Sequence, residues 1–173
     1  MHLIDCTYEQ HAIEILAILN EAIANSTALY DYKPRSLENM VKWFEGKAVG
    51  AYPVIGVISD EGNLLGFGSY GPFRAFPAYK YTVEHSVYVQ ASQRGKGIGK
   101  VLLHALIERA SAQNYHVMVA AIDKQNQAST LLHEKLGFTH AGTIAQAGFK
   151  FGRWLDLALY QLILKTPAHP VDG

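Results

Sequence analysis

The chain of 173 residues holds a single cysteine, Cys6, so an internal disulfide is excluded and a reducing cytosol suits it. Neither charge sign is in excess, with 15 Lys plus Arg against 15 Asp plus Glu. Wholesale binding of nucleic acid, which needs a basic surplus, is not expected. No apolar run approaches a membrane span, and the N-terminus lacks a signal-peptide pattern. The eight histidines fall into no ligand spacing. His133-Glu134 begins a zincin-like match that fails because Gly137 stands where the second histidine belongs, so no metal is expected. There are no internal repeats and no linker. The expectation is one soluble cytoplasmic domain over 1–173, with 165–173 as a loose tail.

The most informative stretch is Gln93-Arg94-Gly95-Lys96-Gly97-Ile98-Gly99-Lys100. It follows the strand-like run Val83 to Val89 and opens an amphipathic helix. Glycines let backbone N–H groups approach a ligand closely and tolerate positive φ. The following helix points its positive dipole end at the same place. Such a turn suits an anion, above all a phosphate. A Walker A loop is excluded because Val101 follows Lys100, and the dinucleotide fingerprint because Lys100 stands where its third glycine belongs. What fits is Arg94-x-x-Gly97-x-Gly99.

Periodicity gives the order β–α–α–β–β–β–α–β–α–β–β. The first helix is expected from about Glu9 to Asn25, with Ile13, Leu16, Ala17, Leu19, Ala22 and Ile23 at helical spacing. Ser36 reads as the N-cap of the second, whose face carries Met40, Val41, Trp43 and Phe44. Pro53–Ser59 and Leu64–Tyr70 form a hairpin about Asp60–Asn63, and Gly66 and Gly68 suggest a bulge or a close backbone approach. Tyr79–Val89 is the long central strand. Its alternation puts Glu84 on one face and His85 on the other. Acidic residues are depleted from strands, so Glu84 is either paired structurally or a tuned base. Helices over Ile98–Ala112 and Ala128–Leu136 flank a buried strand over His116–Ile122, and Gly137 stops the last helix. A strand from Phe138 to about Thr143, a looped region through Gly152 and a strand over Arg153–Leu164 complete the chain.

The Arg94-x-x-Gly97-x-Gly99 loop, the central strand, Asn126 ahead of the last helix, and Leu132-His133-Glu134-Lys135-Leu136-Gly137-Phe138 resemble, in order and spacing, the GNAT acyl-CoA N-acyltransferases. The resemblance covers about residues 2–163. Many members have tyrosine where this chain has His133. A narrower match, in Tyr81–Val89, the histidine of Leu-His-Glu, and Ala147-Gly148-Phe149-Lys150-x-Gly152-x-Trp154-x-Asp156, resembles the phosphinothricin N-acetyltransferases, whose relatives act on methionine sulfoximine and similar analogues. The resemblance implies an α/β (α+β) fold with a mixed, mainly antiparallel sheet flanked by helices. It also implies acetyl-CoA as co-substrate, a small amino-acid-like amine as acceptor, and a homodimer.

Acetyl transfer then assigns expected roles. Backbone groups of Gly95, Lys96, Gly97, Ile98, Gly99 and Lys100 cradle the pyrophosphate, with Arg94, Lys96 and Lys100 adding positive charge. Val87, Tyr88 and Val89 offer main-chain pairing to the pantetheine arm, as an added strand would. The resemblance gives Asn126 a hydrogen bond to the cofactor. Glu84 is the expected base, and His133 protonates the leaving thiolate or assists the base, unless it only caps the core. Arg74 and Lys150 are candidates for an anionic substrate, and Tyr30, Phe73 and Trp154 for the pocket wall. A solvated role stays open for Arg74 and a core or dimer contact for Trp154. Two other readings remain, a protein or peptide N-acetyltransferase and a non-catalytic acyl-CoA sensor.

Overall fold

The structure is a computed structural model that describes residues 1–172. Its strands are β1 (His2–Asp5), β2 (Val54–Ile58), β3 (Leu64–Pro72), β4 (Thr82–Val89), β5 (Val117–Asp123), β6 (Thr139–Lys150) and β7 (Arg153–Ile163). Its α-helices are α1 (Tyr8–Asn25), α2 (Leu37–Val49), α3 (Ile98–Ala112) and α4 (Gln127–Lys135). The strands hydrogen-bond in the order β1-β2-β3-β4-β5-β7-β6. Neighbours β4 and β5 run parallel, while β1–β2, β2–β3, β5–β7 and β6–β7 run antiparallel. The expected element order and mixed sheet are both observed.

Backbone contacts group the chain into two compact units. The first joins Met1–Tyr70 with Ser86–Leu106, and the second joins Gly71–His85 with Ile107 onward. Strand β4 therefore begins in the second unit and ends in the first.

In the first unit, Thr7 caps α1 by accepting from the Gln10 N–H, and Ser36 and Asn39 form a reciprocal capping box on α2. Helix α1 buries Ala12, Ile15, Ile18, Leu19, Ala22 and Ile23. Leu19, Ala22 and Ile23 belong to the expected stripe, whose N-terminal half differs. Ile13 is 73% exposed, and Ala12, Ile15 and Ile18 face the core instead. The segment is apolar around most of its circumference, so spacing alone could not select the buried face. Glu14, between the two candidate stripes, accepts the Leu64 N–H at 2.8 Å. Lys47 of α2 lies over the rings of Trp43 and Tyr52 and donates to the Tyr70 carbonyl at 2.8 Å. Burial lowers its pKa to about 8. Cys6 is buried, and desolvation, reinforced by Asp5 and Glu14, pushes its thiol up to about 12, so it offers no thiolate near neutral pH.

Gly66 of β3 confirms a close backbone approach. A Cβ there would lie 2.8 Å from the Tyr88 carbonyl oxygen and 3.2 Å from the Val89 Cα. Both obstacles are main chain, so β4 itself has to move. Gly66→Ala is expected to cost about 1–3 kcal/mol, as overpacking does. Urea unfolding should show a lowered midpoint at unchanged slope. A midpoint equal to the wild type would mean that β4 yields without cost.

In the second unit β6 runs as far as Lys150, where a loop had been expected after Thr143. Register irregularities at His140/Gly142 and Ile144/Gly148 interrupt its ladder with β7. They break the two-residue alternation from which a strand is recognised. The hairpin turns through Phe151 and Gly152, both at positive φ. In the C-terminal segment, Thr166 bonds Tyr115 and His116, and Val171 bonds the Tyr81 hydroxyl.

Candidate active site

The glycine turn belongs to the first unit. A short 3-10 turn, Ala91–Gln93, leads from β4 into it. Gly95 and Gly97 adopt φ of 79° and 83°, which other residues reach only with strain. A Cβ at either position would meet nothing within 4 Å, so the turn presents bare backbone to open space. The Gly97 carbonyl accepts from the Lys100 and Val101 N–H groups and starts α3. Ile98 and Gly99, ahead of those first helical bonds, have no intrahelical partner for their N–H groups. This is the geometry of an anion cradle.

The flanking cations Arg94, Lys96 and Lys100 are exposed, and two of them also bond within the chain. Arg94 pairs with Glu21 at 2.7 Å and donates to the Val89 carbonyl, and Lys96 donates to the Gln93 side chain at 2.8 Å. Lys100 is exposed and Ile98 buried. Val87, Tyr88 and Val89 are half-buried on β4, where Tyr88 packs on Phe67 with ring centroids 5.5 Å apart. Tyr30, in the segment between α1 and α2, is 37% exposed.

The second unit holds the carboxylate. Glu84 is half-buried in the part of β4 that ladders with β5, a ladder that covers Thr82–Glu84 against Val117–Val119. Burial raises the Glu84 pKa, and the positive charge of Arg74 pulls it partly back. Arg74 is exposed, with its guanidinium 5.1 Å from the centre of the Phe73 ring. Phe73 in turn meets Tyr79 edge-on at 5.7 Å. One segment, Phe73 to Glu84, therefore carries an aromatic wall, a cation and a carboxylate.

Asn126 is the N-cap of α4, and its side-chain oxygen accepts the Ser129 N–H at 3.1 Å. Only its amide NH2 is left to donate to a ligand. Asp123 steadies the turn ahead of it, accepting the Gln125 N–H and pairing with Arg153 at 3.2 Å. Lys150 is buried, with its ammonium 4.9 Å from the Phe151 ring centre. Trp154 stands 59% exposed beside Phe149.

His133 of α4 is buried and stacks on His85 of β4, with ring centroids 5.1 Å apart. Its Nε2 lies 3.1 Å from Nε2 of His85, and its Nδ1 lies 2.7 Å from the Ser129 carbonyl oxygen. Desolvation lowers the pKa of both rings, which favours their neutral forms. Alternation had put His85 opposite Glu84, but no periodicity reveals a partner 48 residues away in the chain. Among the described residues no group of acidic, histidine or cysteine side chains could hold a metal ion, and no helix is long and apolar enough to cross a membrane.

Comparison with known proteins agrees with this arrangement. The profile of the acetyltransferase (GNAT) family matches residues 16–138. An L-methionine sulfoximine/L-methionine sulfone acetyltransferase of Pseudomonas paraeruginosa is 52% identical over 150 residues, 87% of each chain. The crystal structure of an N-acetyltransferase from Staphylococcus aureus superposes with a TM-score of 0.89 at 47% identity, covering 94% of this chain and 97% of that one. A GNAT superfamily phosphinothricin acetyltransferase from Sinorhizobium meliloti, solved in complex with AcCoA, superposes with a TM-score of 0.93 at 34% identity, covering 98% and 91%. An open glycine turn at a helix N-terminus, a half-buried carboxylate on the strand that leads to it and these likenesses converge: the chain belongs to the acetyltransferase (GNAT) family.

Proposed function

We propose that the protein transfers the acetyl group of acetyl-CoA to the α-amine of a small amino-acid-like substrate, of the kind represented by methionine sulfoximine, methionine sulfone and phosphinothricin. The observation that carries the reading is β4. This strand bears Glu84 with a raised pKa and leads, after Val89, into a turn of bare backbone with an anion cradle. Relatives named for these substrates support the choice of amine.

Acetyl-CoA supplies an activated acetyl thioester. Its pyrophosphate fits the open N–H groups of the turn, with Lys100 adding charge and the Asn126 amide a further donor. The main chain of Val87 to Val89 offers strand-like pairing to the extended arm. A free α-amine has a pKa of about 8 and is mostly protonated at neutral pH. Its nitrogen gives up two protons in becoming a neutral amide. Glu84 takes one, directly or through water, and releases it to solvent. The other goes to the departing thiolate as the C–S bond breaks. A backbone N–H near Val87 meets the oxyanion. Arg74, whose charge lowers the Glu84 pKa, suits the substrate carboxylate because its planar fork matches two oxygens. Phe73 and Tyr30 contribute apolar wall, and Lys150 a further positive charge.

Thiol release from acetyl-CoA, measured against phosphinothricin, methionine sulfoximine, methionine sulfone, ordinary amino acids, polyamines and a peptide, tests the reading. Turnover is expected for the amino-acid analogues and not for the peptide. Turnover of the peptide alone would replace the small-amine reading. No turnover at all, with acetyl-CoA still raising Tm, would remove it in favour of a binding protein.

A further inference from the structure

The glycine turn has to be held in shape by what flanks it. A Cβ at Gly95 or Gly97 would touch nothing, and glycine loses more conformational freedom on ordering than any other residue. The entry to the turn is fixed at two points, and both lead to α1. Gln90, the residue after β4, donates its backbone N–H to the Leu65 carbonyl at 3.0 Å and its side-chain amide to the Leu64 carbonyl at 2.6 Å. The Leu64 N–H is held in turn by Glu14 of α1. Beyond Gln90, Arg94 donates from Nη2 to Glu21 of α1 at 2.7 Å and from Nε to the Val89 carbonyl at 3.3 Å. Glu14 and Glu21, at i and i+7, share one face of α1.

We propose that Glu21 is a positioning residue for acetyl-CoA: it holds Arg94 across the end of β4, and Arg94 serves as the brace of the pyrophosphate turn and not as a ligand of the phosphates. The proposal rests on the reading of the turn as the acetyl-CoA cradle. The edge of the guanidinium that would grip two phosphate oxygens, Nε with Nη2, is occupied by Val89 and Glu21. A turn already ordered before its ligand arrives loses less entropy on binding. A carboxylate beside an anion site opposes the anion by charge, so what Glu21 contributes is shape. The two effects of Glu21 have opposite signs. Loss of its charge alone would tighten the binding of coenzyme A, and loss of the brace weakens it.

Titration calorimetry of the full chain with coenzyme A, together with steady-state kinetics on the best amine, tests the brace. Glu21→Met keeps a helix-forming side chain of similar length and removes the acceptor. It should raise the Kd for coenzyme A and the KM for acetyl-CoA about three- to tenfold, the worth of a half-exposed charged hydrogen bond, and leave kcat within about twofold. Glu21→Gln, whose amide oxygen still accepts from Arg94, should recover part of the loss, although both variants remove the same charge. Arg94→Lys keeps the positive charge but has no fork to reach Glu21 and Val89 together, so it should bind as weakly as Glu21→Met. A Glu21→Met protein with an unchanged or lower Kd overturns the proposal. So does a Glu21→Gln protein no better than Glu21→Met. An Arg94→Lys protein that binds like the wild type also overturns it, because charge alone would then suffice. Failure of the proposed function looks different. The wild type then binds coenzyme A but acetylates no amine, and the Kd series still decides the role of Glu21. A wild type that binds no coenzyme A overturns both.

Discussion

Glu84→Gln should lower kcat/KM for the best amine by about 10²–10⁴-fold, the usual worth of a positioned general base. The substitution keeps the size of the side chain and removes only its ability to take a proton. Because burial raises the Glu84 pKa and Arg74 lowers it in part, the acid limb of kcat/KM should lie above the ordinary carboxylate range. Removing the charge with Arg74→Met should move that limb higher still. The effect on stability has the opposite sign to the effect on activity. Between its unfolded pKa and its raised folded pKa, Glu84 binds more protons in the folded state than in the unfolded. Stability therefore falls as pH rises through that interval, and above it the folded protein bears the cost of a half-buried charge. Glu84→Gln removes this cost, so Tm at pH 7 should equal or exceed the wild type. Activity within threefold of the wild type would remove Glu84 as the base. A Tm well below the wild type would show that its carboxylate is held by a structural partner, the alternative that its sequence position also allowed.

Phe67→Ala should cost about 3–5 kcal/mol of folding free energy, a large part of the roughly 5–15 kcal/mol that such domains possess. Phe67 has no exposed surface. Trp43 meets it edge-on at 6.1 Å, and Tyr88 lies tilted against it at 5.5 Å. Its cluster includes Ile15, Leu19, Met40 and Leu64, so truncation leaves a void that α1, α2 and two strands would have to collapse to fill. Urea unfolding at unchanged slope measures the loss. The exposed Phe76 is the control, 73% accessible, and its alanine variant should stay within about 0.5 kcal/mol. A loss below 1 kcal/mol at Phe67 would show that the void closes readily and that the cluster is not tightly packed. Tyr88 belongs to β4, so the same substitution should also loosen the strand proposed to hold the acyl-CoA arm. The KM for acetyl-CoA should rise in the variant under conditions where it remains folded.

Much of the candidate site was legible because its signals are local. Gly95 and Gly97 stand where the backbone takes positive φ, and the residue type announces that conformation. Ser36 caps α2 and Gly137, at φ 89°, ends α4, each through bonds within a few residues. Glu84 was conspicuous as a carboxylate in a strand of alternating apolar residues. The features that were missed depend on partners distant in the chain. The pairing of Arg94 with Glu21, 73 residues earlier, is one. The burial of Lys150, a candidate for an anionic substrate, is another.

Taken alone, the amino-acid sequence determined the order of the elements, the open glycine turn and the strand carboxylate, because each follows from periodicity or from the conformational limits of single residues, while the mixed sheet followed from the family resemblance. The tertiary structure decided which stripe of α1 is buried, how far β6 extends through its irregular register, and which side chains neutralise or orient the residues of the site. Those outcomes depend on packing and pairing between segments far apart in the chain. The contact between His85 and His133 is the clearest case: 48 residues separate the two rings in the chain, and only the fold brings them together.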